Sequence, residues 1–164
     1  MAATSSVIIA HLFDHAEHRP YVAQLIHDEF WRDVPGANAE KMQARLALAS
    51  RADAIPLCLI ALAGGRAVGA INLVEDDDQG GGVPRDWQPW LAAMVVAPGS
   101  RGRGIGSQLV RALLAEARAL NITNVYLGTE GPGFYTRLGA VAAGQPREGF
   151  WFMRFDSACA GGAA

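Results

Sequence analysis

Apolar residues in the first half of the chain recur at two spacings, and the spacing changes from segment to segment. The pattern predicts a strand over Val7–Phe13, a helix over Tyr21–Trp31 and a second helix over Asn38–Ser50, whose first residue is suited to cap it. Two further apolar segments, Pro56–Ala63 and Arg66–Val74, flank a Gly-Gly pair, which is typical of a β-hairpin. The first half therefore predicts the order β-α-α-β-β.

A polar loop over Asp76–Pro89, with three consecutive glycines, separates this hairpin from a strand over Trp90–Ala97. That strand is almost entirely apolar, as expected for a central strand covered on both faces. A helix is predicted from about Gly104 to Leu120, because apolar residues recur there at helical spacing. The stripe consists of Ile105, Leu109, Leu113, Ala117 and Leu120.

The last part of the chain continues the alternation of strands and helices. A fifth strand includes Val125–Leu127, and a short helix over Phe134–Leu138 ends at Gly139. A final hairpin follows, with its last strand over Phe150–Phe155. The second half therefore predicts the order β-α-β-α-β-β.

Length and charge limit the class of protein. The 164 residues are expected to form a single domain over 1–157, followed by a flexible tail over 158–164. A net charge of −2 and a pI near 6.0 argue against nucleic acid as the main partner. Two cysteines, Cys58 and Cys159, make no disulfide framework. With no secretory signal, and with its longest strongly apolar run, Leu57–Ala63, too short to cross a bilayer, the chain is expected in the cytoplasm.

The turn between the fourth strand and the long helix is rich in arginine and glycine. It reads Val-Val-Ala-Pro-Gly-Ser-Arg-Gly-Arg-Gly-Ile-Gly-Ser. The first N–H groups of a helix have no partner within the helix and carry partial positive charge. Gly102, Gly104 and Gly106 allow a pyrophosphate to approach them, and Arg101 and Arg103 can add charge-assisted hydrogen bonds. The turn therefore predicts a site for a phosphorylated ligand.

Three phosphate-binding motifs are candidates for this turn, and the alternative is a glycine-rich turn that only caps a helix. A P-loop would need a Lys followed directly by Ser or Thr after the second glycine, and the turn contains no such pair. A dinucleotide-binding turn would need a third glycine where Ser107 stands. The third pattern, Arg-x-x-Gly-x-Gly, is met by Arg101, Gly104 and Gly106, and it resembles the pyrophosphate loop of the GNAT superfamily of acyl-CoA N-acyltransferases.

A second segment carries the same resemblance. Phe134-Tyr135-Thr136-Arg137-Leu138-Gly139 is similar to the signature that follows the fifth strand in GNAT enzymes, and one helix separates it from the first motif. The two motifs and their neighbours cover Trp90 to about Phe155. The resemblance implies an α/β (α+β) fold, with a central mixed, mostly antiparallel sheet of about seven strands flanked by about four helices.

The resemblance also implies acetyl-CoA as co-substrate and assigns residues to it. The fourth and fifth strands are expected to splay apart, with the pantetheine arm between them. Twelve residues are assigned to cofactor binding. They are Met94, Val95, Val96, Arg101, Gly102, Arg103, Gly104, Ile105, Gly106, Ser107, Thr129 and Phe134. Thr129-Glu130 stands where many members of the family carry an Asn, so Thr129 supplies a hydroxyl in its place.

The chemistry implied is attack of a neutral primary amine on the thioester. Because a lysine-like amine has a pKa near 10.4, neutralising it at pH 7 costs about 4–5 kcal/mol, so a base or a chain of water molecules is useful. Glu75 and Asp77 are the favoured carboxylates among an acidic group that includes Asp76 and Asp78, and Glu130 is a further candidate. The alternatives are an acidic turn that only faces water, or an acidic edge that attracts a cationic substrate.

The resemblance assigns Tyr135 as the acid that protonates the departing thiolate. Its alternative role is packing against the cofactor. Trp87 and Trp90, which flank the glycine-rich loop, are candidates for the wall of the acceptor pocket. His11, His15 and His18 recur at near-helical spacing, but without carboxylates to complete a site no metal is expected.

Two functions follow from these residues. The first is an N-acetyltransferase that moves an acetyl group from acetyl-CoA to a small-molecule or peptidyl primary amine in a ternary complex. The second is a non-catalytic module of the same fold that binds or senses acyl-CoA and does not need Tyr135. The expected partner is the amine, with no nucleic acid and no membrane, and a homodimer is one option.

Overall fold

A twisted sheet of seven strands runs through residues 6–77 and 83–158, which are the residues that the computed structural model describes. The strand order is β1-β2-β3-β4-β5-β7-β6, and every neighbouring pair is antiparallel except β4 and β5. The strands are β1 Val7–His11, β2 Leu57–Ala63, β3 Arg66–Val74, β4 Trp90–Val96, β5 Asn124–Thr129, β6 Val141–Arg147 and β7 Phe150–Asp156. The predicted mixed, mostly antiparallel sheet is confirmed.

Four α-helices accompany the sheet in the described part of the chain. They are α1 Arg19–Ile26, α2 Ala39–Leu46, α3 Ile105–Ala119 and α4 Pro132–Arg137. A 3-10 segment, Leu12–His18, precedes α1, and a π-helical segment, His27–Trp31, continues it. The predicted element order is confirmed.

The ends of the first strand and of the second helix differ from their predicted positions. The first strand ends at His11 rather than Phe13, because Leu12 already begins the 3-10 segment. The second helix starts as predicted, since Asn38 Oδ1 accepts a hydrogen bond from the Lys41 N–H at 2.8 Å. It ends at Leu46 rather than Ser50, because tighter turns follow in which each N–H bonds to a nearer carbonyl.

The sheet is covered on both faces. On one face α3 presents its predicted stripe, and Leu109, Leu113 and Ala117 are fully buried against strands β2 to β5 and β7. On the other face α1 and α2 bury Val22 and Ile26 against the first half of the sheet. The two layers make β4 a central strand, as its apolar sequence predicts.

A third, aromatic cluster covers the same face as α1 and α2, but over the second half of the sheet. Trp87 stacks on Tyr126 with ring centroids 5.0 Å apart, and Trp90 and Phe152 complete the cluster. A cleft lined by Phe150 of this cluster, by Trp31 of the segment after α1 and by Ala93 of β4 lies beside it, and the candidate site is found there.

Several predictions fall on residues outside the described ones. These are Asp78, the three glycines at 80–82, Cys159 and the tail beyond Ala158. Among the residues that are described, no helix is both long enough and apolar enough to cross a membrane.

Candidate active site

The arginine- and glycine-rich turn forms the N-terminus of α3. Gly102 and Gly104 have φ of +77° and +76°, a backbone conformation that residues with a Cβ rarely adopt. Gly104 is the residue from which the helix starts, and the turn from Arg101 to Gly104 is exposed. The sequence therefore folds into the arrangement predicted for it, an open helix N-terminus that offers partial positive charge to an anion.

Gly106, the third glycine after Arg101, is required for close packing and not for a positive φ. A Cβ added to Gly106 would lie 3.3 Å from Phe134 Cζ and 3.6 Å from Met94 Sδ. Since 3.3 Å is tighter than most Cβ contacts, a side chain here would require Phe134 to shift by a few tenths of an ångström. Gly106 thereby lets the first turn of α3 lie close to β4 and α4.

A groove of about 410 Å³ begins at this helix N-terminus. It is lined by Glu29, Met94, Val95, Val96, Ser100, Arg101, Gly102, Gly104, Ile105, Gly106, Ser107 and Phe134. Of the residues assigned to the cofactor from the sequence, the structure brings all but Arg103 and Thr129 to this groove. Arg103 is exposed, and Thr129 lies in the neighbouring cleft, where its Oγ1 accepts a hydrogen bond from the Gly131 N–H at 3.0 Å.

Strands β4 and β5 part beside this groove. They share a single pairing, between Trp90 and Tyr126, so the strands separate after the first residue of β4. On its other side, where β4 pairs with β3, β4 carries a bulge. From the pairing Ala70–Val95 to the pairing Asn72–Ala92, β3 advances by two residues and β4 by three, so β4 has one extra residue. Beyond the Trp90–Tyr126 pairing, a gap therefore separates β4 from β5.

Ala93 lies within the bulge and has a φ of +48°. A non-glycine residue in the left-handed region costs about 1–3 kcal/mol, and such conformations cluster at functional sites. The strained residue therefore lies in the part of β4 that has already separated from β5.

A second cleft of about 560 Å³ is lined by residues of both β4 and β5. It is lined by Glu29, Phe30, Trp31, Asp77, Leu91, Ala92, Ala93, Met94, Gly128, Thr129, Glu130, Gly131, Tyr135 and Phe150. Glu29 and Met94 line both the groove and the cleft, so the two spaces meet at these side chains.

The structure separates the predicted carboxylates. Asp77 is half-buried and lines the cleft, and Glu130 also lines it but is exposed. Glu75 and Asp76 are exposed and are not among its lining residues. The cleft therefore brings Asp77, but not Glu75, near Tyr135.

Tyr135 lies on α4 between two other aromatic rings. Its ring centroid is 5.0 Å from that of Phe134 and 6.4 Å from that of Phe155. Burial raises the pKa of Tyr135 to about 12, because the apolar surroundings disfavour the phenolate. The phenol therefore keeps its proton throughout the physiological range.

Glu29 is a site residue that the sequence reading missed. It lies in the π-helical segment, and its Oε2 accepts a hydrogen bond from Arg101 Nη2 at 3.0 Å. Arg101 Nε also donates to the Val96 carbonyl at 2.9 Å. The sequence offers one indication of such a residue: Glu29 is an acid next to Phe30 and Trp31, at the end of a predicted helix and shortly before a Pro-Gly turn.

Two other predicted groups lie elsewhere. Trp87 and Trp90 pack into the aromatic cluster and line neither the groove nor the cleft, because Tyr126 and Phe152 hold their rings. The His11 Nε2 atom is 3.4 Å from Glu116 Oε2. Within residues 6–77 and 83–158, no three His, Cys, Asp or Glu side chains are grouped to hold a metal ion.

Comparison with known proteins gives one family match and several similar structures. The model of the Acetyltransferase (GNAT) family matches residues 23–140. A ribosomal-protein-alanine N-acetyltransferase from Brucella melitensis has a similar fold, with a TM-score of 0.71 and 20% identity over 91% of this chain and 99% of that one. An aminoglycoside 6'-N-acetyltransferase complexed with coenzyme A has a TM-score of 0.69 and 16% identity, over 92% and 97% of the two chains.

A shorter stretch is similar to curated enzymes. The mycothiol acetyltransferase of Mycobacterium avium (strain 104) is 58% identical over 38 residues. That stretch is 23% of this chain and only 12% of the mycobacterial protein.

Proposed function

Because the chain belongs to the acetyltransferase (GNAT) family, we propose that it moves an acetyl group from acetyl-CoA to a primary amine of a small molecule or peptide, by direct attack in a ternary complex. One observation carries this proposal. The groove at the N-terminus of α3 and the acid-lined cleft meet at Met94, so a thioester held along β4 reaches an amine in the cleft.

The groove fits coenzyme A in its chemistry. The N–H groups at the start of α3 and the Arg101 guanidinium bind the diphosphate, and the glycines leave room for it. The pantetheine arm lies along Met94, Val95 and Val96, whose backbone faces the parting between β4 and β5. Arg103 and Thr129 remain further candidates for contact with the cofactor.

The cleft fits a cationic acceptor with an apolar part. Besides Tyr135, its wall carries three carboxylates and three aromatic rings. They are Glu29, Asp77, Glu130, Phe30, Trp31 and Phe150. Carboxylates attract an ammonium group, and aromatic faces hold either an apolar substituent or the cation itself.

The reaction needs a proton to leave the amine. Asp77 accepts it, directly or through water, and the neutral nitrogen then attacks the thioester carbonyl. Backbone N–H groups of β4 near the bulge stabilise the oxyanion. As the carbon–sulfur bond breaks, the Tyr135 hydroxyl donates a hydrogen bond to the sulfur. The nitrogen, which becomes the amide, releases its remaining extra proton through water to the thiolate, and the sulfur leaves as the CoA thiol.

The proposal is tested with acetyl-CoA and a panel of amines. The panel contains phenethylamine, spermidine, kanamycin and a peptide with an N-terminal alanine, and phenethyl alcohol serves as a control without an amine. Thiol release with at least one amine, and none with the alcohol, is expected. Binding of CoA in calorimetry without turnover of any amine would instead support the acyl-CoA sensor.

The role of Asp77 has its own test. Because a positioned acid or base contributes about 10²–10⁴-fold, Asp77→Asn should lower kcat by at least about 100-fold. Asp86→Asn removes an exposed carboxylate from the same connecting segment, outside both spaces, and should leave kcat unchanged. If Glu75→Gln lowers kcat more than Asp77→Asn does, Glu75 is the base, which is the other carboxylate that the sequence favours.

Two further expectations from the sequence belong to this proposal: a cytoplasmic location, and a homodimer as one option. Sedimentation of the purified chain checks the second of them.

A further inference from the structure

The guanidinium of Arg101 is held by two partners on different elements. Its Nε donates to the Val96 carbonyl of β4 at 2.9 Å, and its Nη2 donates to Glu29 Oε2 at 3.0 Å. The side chains of Arg101 and Glu29 are 49% and 45% exposed. The pair is therefore half-solvated, and an ion pair of this kind contributes little to stability and is easily exchanged.

Glu29 lies where the two functional spaces meet. It lines the groove together with Arg101, and it lines the cleft together with Phe30, Trp31 and Asp77. Its carboxylate therefore has access to either space, and it is bonded to a group of the groove.

Coenzyme A, bound as proposed above, would compete with both hydrogen bonds of the Arg101 guanidinium, the one to Glu29 and the one to the Val96 carbonyl. The diphosphate offers Arg101 two or more charged oxygens, and such pairs are stronger than a half-exposed contact with one carboxylate oxygen. The pantetheine amides compete for the Val96 carbonyl, which accepts from Arg101 Nε. The first effect draws the guanidinium away from Glu29, and the second removes the other hydrogen bond that holds it in its present place.

We infer that Arg101 and Glu29 form an exchangeable pair that couples the two substrates. When coenzyme A binds, the guanidinium moves to the diphosphate, and the freed Glu29 carboxylate holds the ammonium group of the acceptor in the cleft. Glu29 is then a positioning residue for the amine, available once the cofactor is in place. This inference rests on the proposed function, because it needs coenzyme A in the groove.

The first test measures the affinity for CoA by calorimetry. Glu29→Gln removes the competitor for Arg101, so CoA should bind about 1.5- to 5-fold more tightly, the range expected for an exposed ion pair. Asp28→Asn is the matched control, because it removes the same charge from the same segment. Asp28 bonds to Gln24 and has no bond to Arg101, and the affinity should stay unchanged.

A double-mutant cycle separates the ion pair from a general charge effect. Arg101→Gln should weaken CoA binding, and adding Glu29→Gln to that variant should produce no further change. If Glu29→Gln improves affinity equally with and without Arg101, or if Asp28→Asn does the same, the exchange does not occur. Thermal unfolding of each variant checks that it is folded.

The second test uses phenethylamine as the probe, observed by NMR line broadening with and without CoA. Thermodynamic linkage requires that CoA tighten the binding of the amine by the same few-fold factor by which the amine tightens that of CoA. This coupling should disappear in Glu29→Gln. Equal amine binding in both states, or none in either, overturns the inference. If CoA itself gives no heat, the proposed function fails as well, whereas CoA binding without coupling refutes only the exchange.

Discussion

Tyr135→Phe removes one hydroxyl from the cleft and keeps the ring that packs against Phe134 and Phe155. The phenol has a pKa of about 12, since burial disfavours its ionised form. A free thiol has a pKa near 8.5. Complete proton transfer from this phenol to a free thiolate is therefore uphill by about 3.5 pKa units, or about 5 kcal/mol.

The hydroxyl is thus expected to act by donating a hydrogen bond while negative charge develops on sulfur, and not by releasing its proton early. A hydrogen bond to a charged group is worth about 1.5–3 kcal/mol, which corresponds to about 10- to 160-fold in rate. Because the charge appears only as the carbon–sulfur bond breaks, kcat should fall by this factor while KM for acetyl-CoA changes little.

The assay is thiol release at saturating amine, with Tyr21→Phe as the control, since Tyr21 is half-exposed on α1 and lines neither the groove nor the cleft. The pH profile gives a second readout. A phenol with a pKa of about 12 stays protonated, so its ionisation should cause no loss of kcat below about pH 11. A Phe variant within twofold of the parent enzyme, or a loss of kcat near pH 10 that the Phe variant lacks, would refute this reasoning.

Three further predictions concern stability and reactivity. Gly69→Ala places a Cβ 2.9 Å from a carbonyl oxygen of β4. This contact should lower the free energy of unfolding by about 1–3 kcal/mol and the Tm measured by calorimetry by about 2–12 °C. Gly99→Ala, whose Cβ would meet no atom within 4 Å, should leave Tm unchanged. Asn38→Ala removes the cap of α2 and should cost about 0.5–2 kcal/mol in urea unfolding, and a cost near zero would contradict the capping role. Burial raises the pKa of Cys58 to about 12, so in a Cys159→Ser variant a thiol reagent at pH 8 should label Cys58 only after denaturation. Rapid labelling of the folded protein would contradict its burial.

The parts of the site that could be predicted from the sequence are those built by neighbours in the chain. The stripe of α3 and the turn from Arg101 to Gly106 each follow from local spacing, and the structure places them as expected. The same holds for Tyr135, because its signature fixes a short helix at the end of β5.

The parts that could not be predicted depend on contacts between distant segments. Glu29 meets Arg101 across 72 positions of sequence, through a π-helical segment that has no local signature. Glu75 and Asp77 are two residues apart, yet they differ in exposure because the chain has already left β3, so strand alternation no longer sets their direction. Ala93 carries a positive φ at a residue type that gives no hint of it.

The single pairing between β4 and β5 has a consequence for how the protein avoids unwanted association. A strand whose N–H and C=O groups lack a neighbour is normally found at the rim of a sheet, where it can recruit a strand from another molecule and begin aggregation. Here two such borders lie in the middle of the sheet and line a cleft that also carries Glu29, Asp77 and Glu130. We expect this position within the sheet, together with the negative charge, to exclude a foreign strand and still to admit a slender amide-bearing arm.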